Sequence, residues 1–211
     1  MSPAEVAKRL RSRPVWIFDL DGTLTIAQHD FDAIRRKLGI VERAPILESL
    51  AAMPEAEARE KKAWLDEMEA ELAAQAHAAP GAHSLLSRLR DEGHRMGILT
   101  RNSKPNAHIC LEATQLADFF EAADVMGRDE APPKPSPVGI QKLLGGWSRR
   151  PDEAVMLGDY HYDLDAGRNA GTMTVHVDVL DRFDFGERAD LRTLGLEPLY
   201  RLLFDPQVPR E

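Results

Sequence analysis

The sequence predicts an α/β protein with a doubly wound, Rossmann-like parallel sheet and a small α-helical cap domain. Short apolar runs alternate along the chain with helical patterns, which favours a parallel sheet with helices on both faces. Polar, chemically reactive residues directly follow several of these runs, and the carboxyl ends of parallel strands meet at one edge of a sheet. A long Ala/Glu-rich segment after the first run predicts the cap.

The predicted strands are apolar runs rich in strand-forming residues. They cover residues 15–18, 96–100, 123–126, 155–158 and 173–177. Residues 80–92 are predicted to form a helix, because Leu85, Leu86 and Leu89 recur at helical spacing and Gly93 follows as a stop signal. A helix near 198–204 is expected to pack on the same domain.

The cap is predicted to cover residues 26–79, where the composition shifts to Ala, Glu, Lys and Arg. Trp64, Met68 and Leu72 recur every four residues, which indicates an amphipathic helix, and this stripe is interpreted as cap core. Shorter helices are expected near 31–38 and 46–53. The expected catalytic core combines residues 1–25 with 80–211.

Composition limits the classes of function. With 27 basic and 35 acidic residues the net charge is −8, which disfavours general nucleic-acid or membrane-surface binding. Cys110 is the only cysteine, so no intrachain disulfide can form, and a reducing, cytoplasmic setting is expected. We expect no membrane span and no signal peptide, because Asp19 interrupts the first apolar stretch. The oligomeric state stays open between monomer and weak dimer.

Asp19 and Asp21 follow the first predicted strand and lead into a Gly-Thr turn. Two carboxylates held this close repel each other. A hard divalent cation coordinated by their oxygens, or one shared proton, usually neutralises this repulsion. Mg²⁺ is therefore the first candidate cofactor. Taken alone, Asp21-Gly22-Thr23 is also typical of an ordinary turn.

Later segments carry polar residues in comparable positions. Thr100 ends the second predicted strand, and its hydroxyl can either donate to a phosphoryl oxygen or cap the next helix. Lys134 lies between prolines, which fix the local backbone and aim one ammonium group, although a solvated lysine fits as well. Asp159 and Asp163 follow another strand and can face one way, and either can instead cap a helix.

These segments, in this order, resemble the four motifs of the haloacid dehalogenase superfamily, in the form used by its phosphatases. The resemblance spans roughly residues 14–171, with a cap inserted after the first motif as in phosphoglycolate phosphatase-like members. It implies that Asp19 attacks phosphorus and becomes an aspartyl phosphate, while Asp21 protonates the leaving oxygen and then activates water. It also implies that Thr100 and Lys134 are catalytic and bind the substrate phosphoryl group.

The resemblance further implies a Mg²⁺ site. Its protein ligands would be the carboxylates of Asp19 and Asp159 and the backbone carbonyl of Asp21, with Asp163 as an outer anchor or a water-mediated ligand. The Asp21 side chain should stay off the metal, because it must be protonated in one step and ionised in the next.

Arg101 marks a departure from the motif. Many phosphatases of this type place Asn directly after the motif Thr, whereas here Asn102 comes one position later. Arg101 can bind a substrate carboxylate or phosphate in a bidentate manner, or pair on the surface. Asn102 is a further candidate for substrate binding. His29 and His161 lie near the motifs in sequence, and both are interpreted as solvated histidines.

The expected function is a Mg²⁺-dependent phosphatase that hydrolyses a small phosphorylated metabolite through an aspartyl phosphate. Asp21 favours phosphoryl chemistry, because the 2-haloacid dehalogenases of the same superfamily lack the second Asp of the first motif. Two alternatives stay open. A phosphomutase would share the first step, and a binding or regulatory protein could keep the fold without turnover.

Overall fold

A six-stranded, all-parallel sheet forms the centre of the computed structural model, which describes residues 3–28, 30–41 and 43–205. The strand order β3-β2-β1-β4-β5-β6 shows that the chain winds first to one side of β1 and then to the other, and the predicted doubly wound sheet is confirmed. The strands are β1 (Val15–Phe18), β2 (Arg95–Leu99), β3 (Val125–Met126), β4 (Ala154–Gly158), β5 (Met173–Val177) and β6 (Leu191–Thr193).

Helices cover both faces of the sheet or form the segment after β1. They are α1 (Pro3–Arg11), α2 (Phe31–Leu38), α3 (Ile46–Ala51), α4 (Glu55–Ala74), α5 (Ala82–Asp91), α6 (Lys104–Ala113), α7 (Val138–Gly146), α8 (His161–Ala170) and α9 (Leu196–Phe204). Within the described part of the chain, none of them has the length and apolar character needed to cross a membrane.

The side chains of β1 alternate between two buried clusters. Trp16 and Phe18 pack with residues of α1, α5, α6 and α9, while Val15 and Ile17 pack with residues of α7 and α8. Successive residues of a strand point to opposite faces, so β1 is buried on both sides. This explains why the first strand is a continuous apolar run that can hold Asp19 at its end.

Helices α2, α3 and α4 enclose a separate apolar cluster. Trp64 and Met68 pack against this cluster, which agrees with their interpretation as core residues. The two ends of the segment between β1 and α5 run side by side. Ile26 N donates to His77 O (3.0 Å), and Ala79 N donates to Leu24 O (2.9 Å). The division into a core and a cap at residues 26 and 79 stays a prediction.

The structure corrects the sequence prediction at the strand ends and edges. The third strand has two residues instead of four, because Ala122–Asp124 forms a 3-10 turn. Thr100 lies one residue beyond β2. Strand β6 was missed because its three residues are too few to show a pattern, and α1 was not predicted. The last helix begins at Leu196, two residues before the predicted start, and its apolar side joins the main core.

Candidate active site

A buried ammonium group lies between two carboxylates at the carboxyl end of the sheet. Nζ of Lys134 is 2.5 Å from Oδ1 of Asp19 and 2.5 Å from Oδ1 of Asp163. The exposed fractions of the three side chains are only 2%, 9% and 3%. Burial alone would lower the pKa of Lys134, but Asp163 and Asp19 outweigh it and raise this pKa to about 12, so the ammonium stays charged.

Parallel register brings the strand ends to one level. Phe18 of β1 lies beside Ile98 of β2 and Leu157 of β4, so the residues that follow these strands meet at the same edge. Thr100 and Asp159 come from β2 and β4, and Lys134 comes from the loop before α7. The structure therefore brings Asp19, Lys134, Asp159 and Asp163 together at this edge.

Three carboxylates form a cluster that can hold a metal ion. Oxygen atoms of Asp19, Asp159 and Asp163 lie within 4.8 Å of one another. Burial raises the pKa of Asp159 well above its usual range, and Asp19 and Asp163 add to this. Burial also raises the pKa of Asp19, against the opposing charge of Lys134. Clustered carboxylate oxygens with uncompensated negative charge suit a hard divalent cation, so the donor set fits the implied metal.

Asp163 has a second contact that the sequence left open. Its Oδ2 accepts a hydrogen bond of 3.0 Å from the backbone N–H of Tyr160 at the start of α8. The capping interpretation therefore applies to Asp163, while its other oxygen contacts Lys134. Gly158 lies tightly against this side chain, because a β-carbon there would be within 3 Å of the Asp163 carboxylate.

Asp21 lies beside Asn102. Nδ2 of Asn102 donates to Oδ2 of Asp21 at 3.4 Å, while Oδ1 of Asn102 accepts from the Ser103 N–H at 2.8 Å. Oγ1 of the buried Thr100 accepts from the Asn102 N–H at 3.0 Å, which leaves the hydroxyl proton of Thr100 for another acceptor. The amide of Asn102 is thus oriented toward Asp21. The proposed role of Asn102 in substrate binding stays a prediction.

Arg101 pairs with a residue of the segment after β1. One guanidinium nitrogen lies 3.0 Å and 2.8 Å from the two carboxylate oxygens of Glu48 in α3. Another nitrogen donates to the backbone carbonyl of Lys134, and the guanidinium carbon lies 4.5 Å from the ring centre of Tyr162. Surface pairing, one of the two interpretations of Arg101, is present in this arrangement.

Sequence reasoning missed two residues that support the site. Arg128 donates to the carbonyl of Arg101 (3.3 Å) and forms ion pairs with Glu69 (2.8 Å) and Asp66 of α4. His176 in β5 is 1% exposed, and its Nε2 donates to the carbonyl of Asp159 at 3.1 Å. Neither has a motif or spacing that marks it in the sequence, because its partners are distant along the chain.

Two histidines and one cysteine were also interpreted from the sequence. His161 has its Nδ1 3.5 Å from Asp165 and packs against Tyr160 and Tyr162, whereas His29 lies outside the described residues. Cys110 is buried in α6, as expected of a packed residue, and burial raises its pKa to about 12. A thiol with so high a pKa is a poor nucleophile at neutral pH.

Among curated proteins, this chain is similar to pyrophosphatase PpaX of Bacillus thuringiensis (strain Al Hakam). The two are 33% identical over 95 residues, which cover 45% of this chain and 44% of that protein. A PpaX of Bacillus cereus (strain G9842) is 35% identical over 89 residues, 42% of this chain and 41% of that protein. The matched region thus spans less than half the length of these relatives.

Solved structures show the same fold. A hydrolase from Pseudomonas syringae superposes with a TM-score of 0.73 at 23% identity, covering 88% of this chain and 95% of that one. CbbY from Rhodobacter sphaeroides, in complex with phosphate, superposes with a TM-score of 0.67 at 21% identity, covering 88% and 96%. The family model of the haloacid dehalogenase-like hydrolases matches residues 16–177. Because this match includes most of the chain and every motif described above, the chain belongs to the haloacid dehalogenase-like hydrolases.

Proposed function

We propose that this protein is a Mg²⁺-dependent phosphatase that hydrolyses a small phosphorylated metabolite through an aspartyl phosphate on Asp19. The observation that carries the proposal is the buried Lys134 ammonium, 2.5 Å from Asp19 and flanked by a cluster of carboxylates. A phosphate monoester is doubly negative near neutral pH, so a carboxylate can approach it only where positive charge is already in place. Lys134 supplies one such charge.

The reaction has two steps. An oxygen of Asp19 attacks phosphorus, and the bond from phosphorus to the leaving oxygen breaks as Asp21 donates a proton to that oxygen. Asp21, now ionised, then takes a proton from water, whose oxygen attacks phosphorus. The bond to Asp19 breaks, and inorganic phosphate leaves. Splitting hydrolysis through a covalent intermediate replaces one difficult step by two easier ones.

Other residues of the chain orient the reacting groups. Asn102, 3.4 Å from Asp21, would hold the carboxyl group that transfers the proton. The hydroxyl of Thr100 would donate to a phosphoryl oxygen, because its oxygen accepts from the Asn102 N–H and its proton is left for another acceptor. Arg101 is proposed to bind another part of the substrate.

The proposed metal ligands are the carboxylates of Asp19 and Asp159 and the carbonyl of Asp21. Asp163 would act from outside, through its contact with Lys134 or through a water. When bound, Mg²⁺ supplies positive charge to the phosphoryl oxygens and orients them. The three-carboxylate cluster supports this assignment.

The proposed cap would close over the site. Ion pairs link α3 and α4 to loops beside the site, including those from Glu48 to Arg101 and from Glu69 to Arg128. Closure of this kind excludes water and completes a catalytic site. The names of the relatives support small phosphorylated substrates, since one is a pyrophosphatase and a variant of CbbY was crystallised with xylulose-(1,5)bisphosphate. A cytoplasmic location and a monomer or weak dimer complete the proposal.

The test is phosphate release from a panel of phosphorylated metabolites, with Mg²⁺ and with a chelator. Native chain, Asp19→Asn and the exposed control Asp91→Asn should be compared. We expect release that needs Mg²⁺ and is abolished only by Asp19→Asn. Release by folded Asp19→Asn, or none by any folded variant, would overturn the proposal. Phosphoryl return to a sugar after activation by a sugar bisphosphate would instead identify a phosphomutase.

A further inference from the structure

We propose that Glu48 occupies a binding site on Arg101 for a second anionic group of the substrate. When the substrate binds, its own carboxylate or phosphate displaces Glu48 from Arg101. The inference rests on the proposed phosphatase function and specifies its substrate class. It predicts a short phosphate monoester with a second negative group at the end distant from the reacting phosphorus. Glu48 is then a specificity-determining residue.

Arg101 is held in place by groups other than Glu48. One nitrogen donates to the carbonyl of Lys134, and the planar guanidinium lies 4.5 Å from the Tyr162 ring. Stacking and a fixed hydrogen bond pre-organise the guanidinium, so it keeps its direction when the carboxylate partner changes. Its exposed fraction of 21% leaves room for a ligand to reach it.

Glu48 is the exchangeable partner. Its side chain is 46% exposed, and it lies on the short helix α3 rather than on the sheet. Ion pairs as exposed as this one contribute little stability. A ligand carboxylate or phosphate can therefore replace Glu48 with little loss, because it offers the same pair of oxygen acceptors to the same nitrogen.

The site lies close to the reacting centre. Arg101 directly follows Thr100, and it contacts the backbone carbonyl of the same Lys134 whose ammonium lies 2.5 Å from Asp19. Lys134 therefore contacts Asp19, where the phosphoryl group would bind, through its ammonium, and contacts Arg101, where the second anion would bind, through its carbonyl. A molecule that places its phosphoryl group at Asp19 and a second anion at Arg101 has to be short.

The test measures binding of two inert ligands of equal length, 3-phosphonopropanoate and 3-hydroxypropylphosphonate, by calorimetry in Mg²⁺. Neither can be hydrolysed as an ester, so the result is independent of turnover. The proteins are the native chain, Glu48→Gln, Arg101→Lys, Arg101→Gln and the control Glu55→Gln, which removes an exposed charge paired within α4. The corresponding phosphate esters then give KM and kcat.

Glu48→Gln should tighten binding of the carboxylate ligand about threefold. The affinity of Glu48→Gln for the alcohol ligand should equal that of the control Glu55→Gln. Arg101→Gln should weaken the carboxylate ligand about tenfold or more and leave the alcohol ligand nearly unchanged. Arg101→Lys should lose most of the preference, because lysine lacks the planar fork. In the ester assays these changes should appear in KM rather than in kcat.

Two results with Glu48→Gln would overturn the inference. Equal effects on both ligands would show that only overall charge matters, and weaker binding of both ligands would show that Glu48 instead holds α3 against Arg101. Full preference in Arg101→Lys would also overturn the inference. Failure of the proposed function looks different, since the native chain would then release no phosphate from any ester whatever its ligand preference.

Discussion

A β-carbon on Gly22 would lie 2.9 Å from Cγ of Asp159 and closer still to its Oδ2. Gly22 also has a φ of +86°, in the left-handed region that favours glycine. Two separate requirements thus fix glycine here, and the close approach lets the Asp159 carboxylate lie beside the loop that carries Asp19. The glycine of the first motif therefore shapes the carboxylate cluster.

Gly22→Ala should separate these two requirements when compared with Gly93→Ala. Gly93 has a φ of +78° but nothing within 4 Å of a β-carbon. Both variants should lose about 1–2 kcal/mol of unfolding free energy from the left-handed backbone. Only Gly22→Ala should also weaken Mg²⁺ binding, by about tenfold or more, as measured by calorimetric titration. Equal Mg²⁺ affinity in the two variants would contradict the role of Gly22.

Lys134→Met should be strongly destabilising in the absence of metal. It leaves Asp19 and Asp163 buried without their ammonium, and removing one partner of a buried ion pair costs about 3–5 kcal/mol. Lys62→Met, at an exposed pair with Asp129, should cost less than about 1 kcal/mol. Urea unfolding at pH 7.5 with a chelator measures both. Comparable stability of the two variants would refute the buried pair as an organising contact.

Glu69 should make stability depend on pH. Burial raises its pKa from 4.5 to about 7, against the opposing charge of Arg128. A raised folded-state pKa means that the folded chain binds the proton more tightly, so the stabilising contribution is complete below pH 4.5 and is lost as the pH rises through 7. Relative to the native chain, Glu69→Gln should gain stability across this range, on the order of 3 kcal/mol in full.

The measurement is the free energy of unfolding of both chains from pH 4.5 to 8, the range set by the shift of Glu69. Glu71→Gln, exposed on the same helix, serves as the control for the loss of one carboxylate. A Glu69→Gln difference that stays constant, or that favours the native chain as the pH rises, would exclude a raised pKa.

His176→Phe should weaken Mg²⁺ binding by about tenfold through Asp159, because residues that orient metal ligands have effects of this size. The substitution keeps an aromatic ring but loses the 3.1 Å hydrogen bond to the Asp159 carbonyl. His94→Phe is a matched control, since Nδ1 of His94 lies 2.8 Å from the carbonyl of Arg13 before β1. Calorimetric titration should show a change in Mg²⁺ affinity for His176→Phe alone, and a similar change in both would rule out the positioning role.

Much of the fold and of the central cluster could be predicted from sequence because both depend on local patterns. The apolar run before Asp19 predicts a buried strand, and parallel strands necessarily bring their carboxyl ends together. The two-residue β3 and three-residue β6 were mis-sized or missed, because hydrogen bonds to neighbouring strands rather than side-chain periodicity define them.

The supporting contacts could not be predicted because they join residues distant in sequence. Glu48 and Arg101 are 53 positions apart, and Arg128 and Glu69 are 59 apart. Charged residues on helix surfaces are common, and composition does not show which of them face a partner. Only the packing of α3 and α4 beside the sheet selects these pairs.

Asp19 is the proposed nucleophile, and a trapped intermediate would identify it. The native chain should be mixed with Mg²⁺ and an ester that it hydrolyses, and the reaction quenched in acid within the first turnover. The protein is then treated with borohydride, which reduces an acyl phosphate to an alcohol. Mass spectrometry should then find homoserine in place of Asp19 and at no other aspartate, and only when both ester and Mg²⁺ were present. Phosphate release without any modification of Asp19, under conditions that preserve acyl phosphates, would exclude Asp19 as the nucleophile.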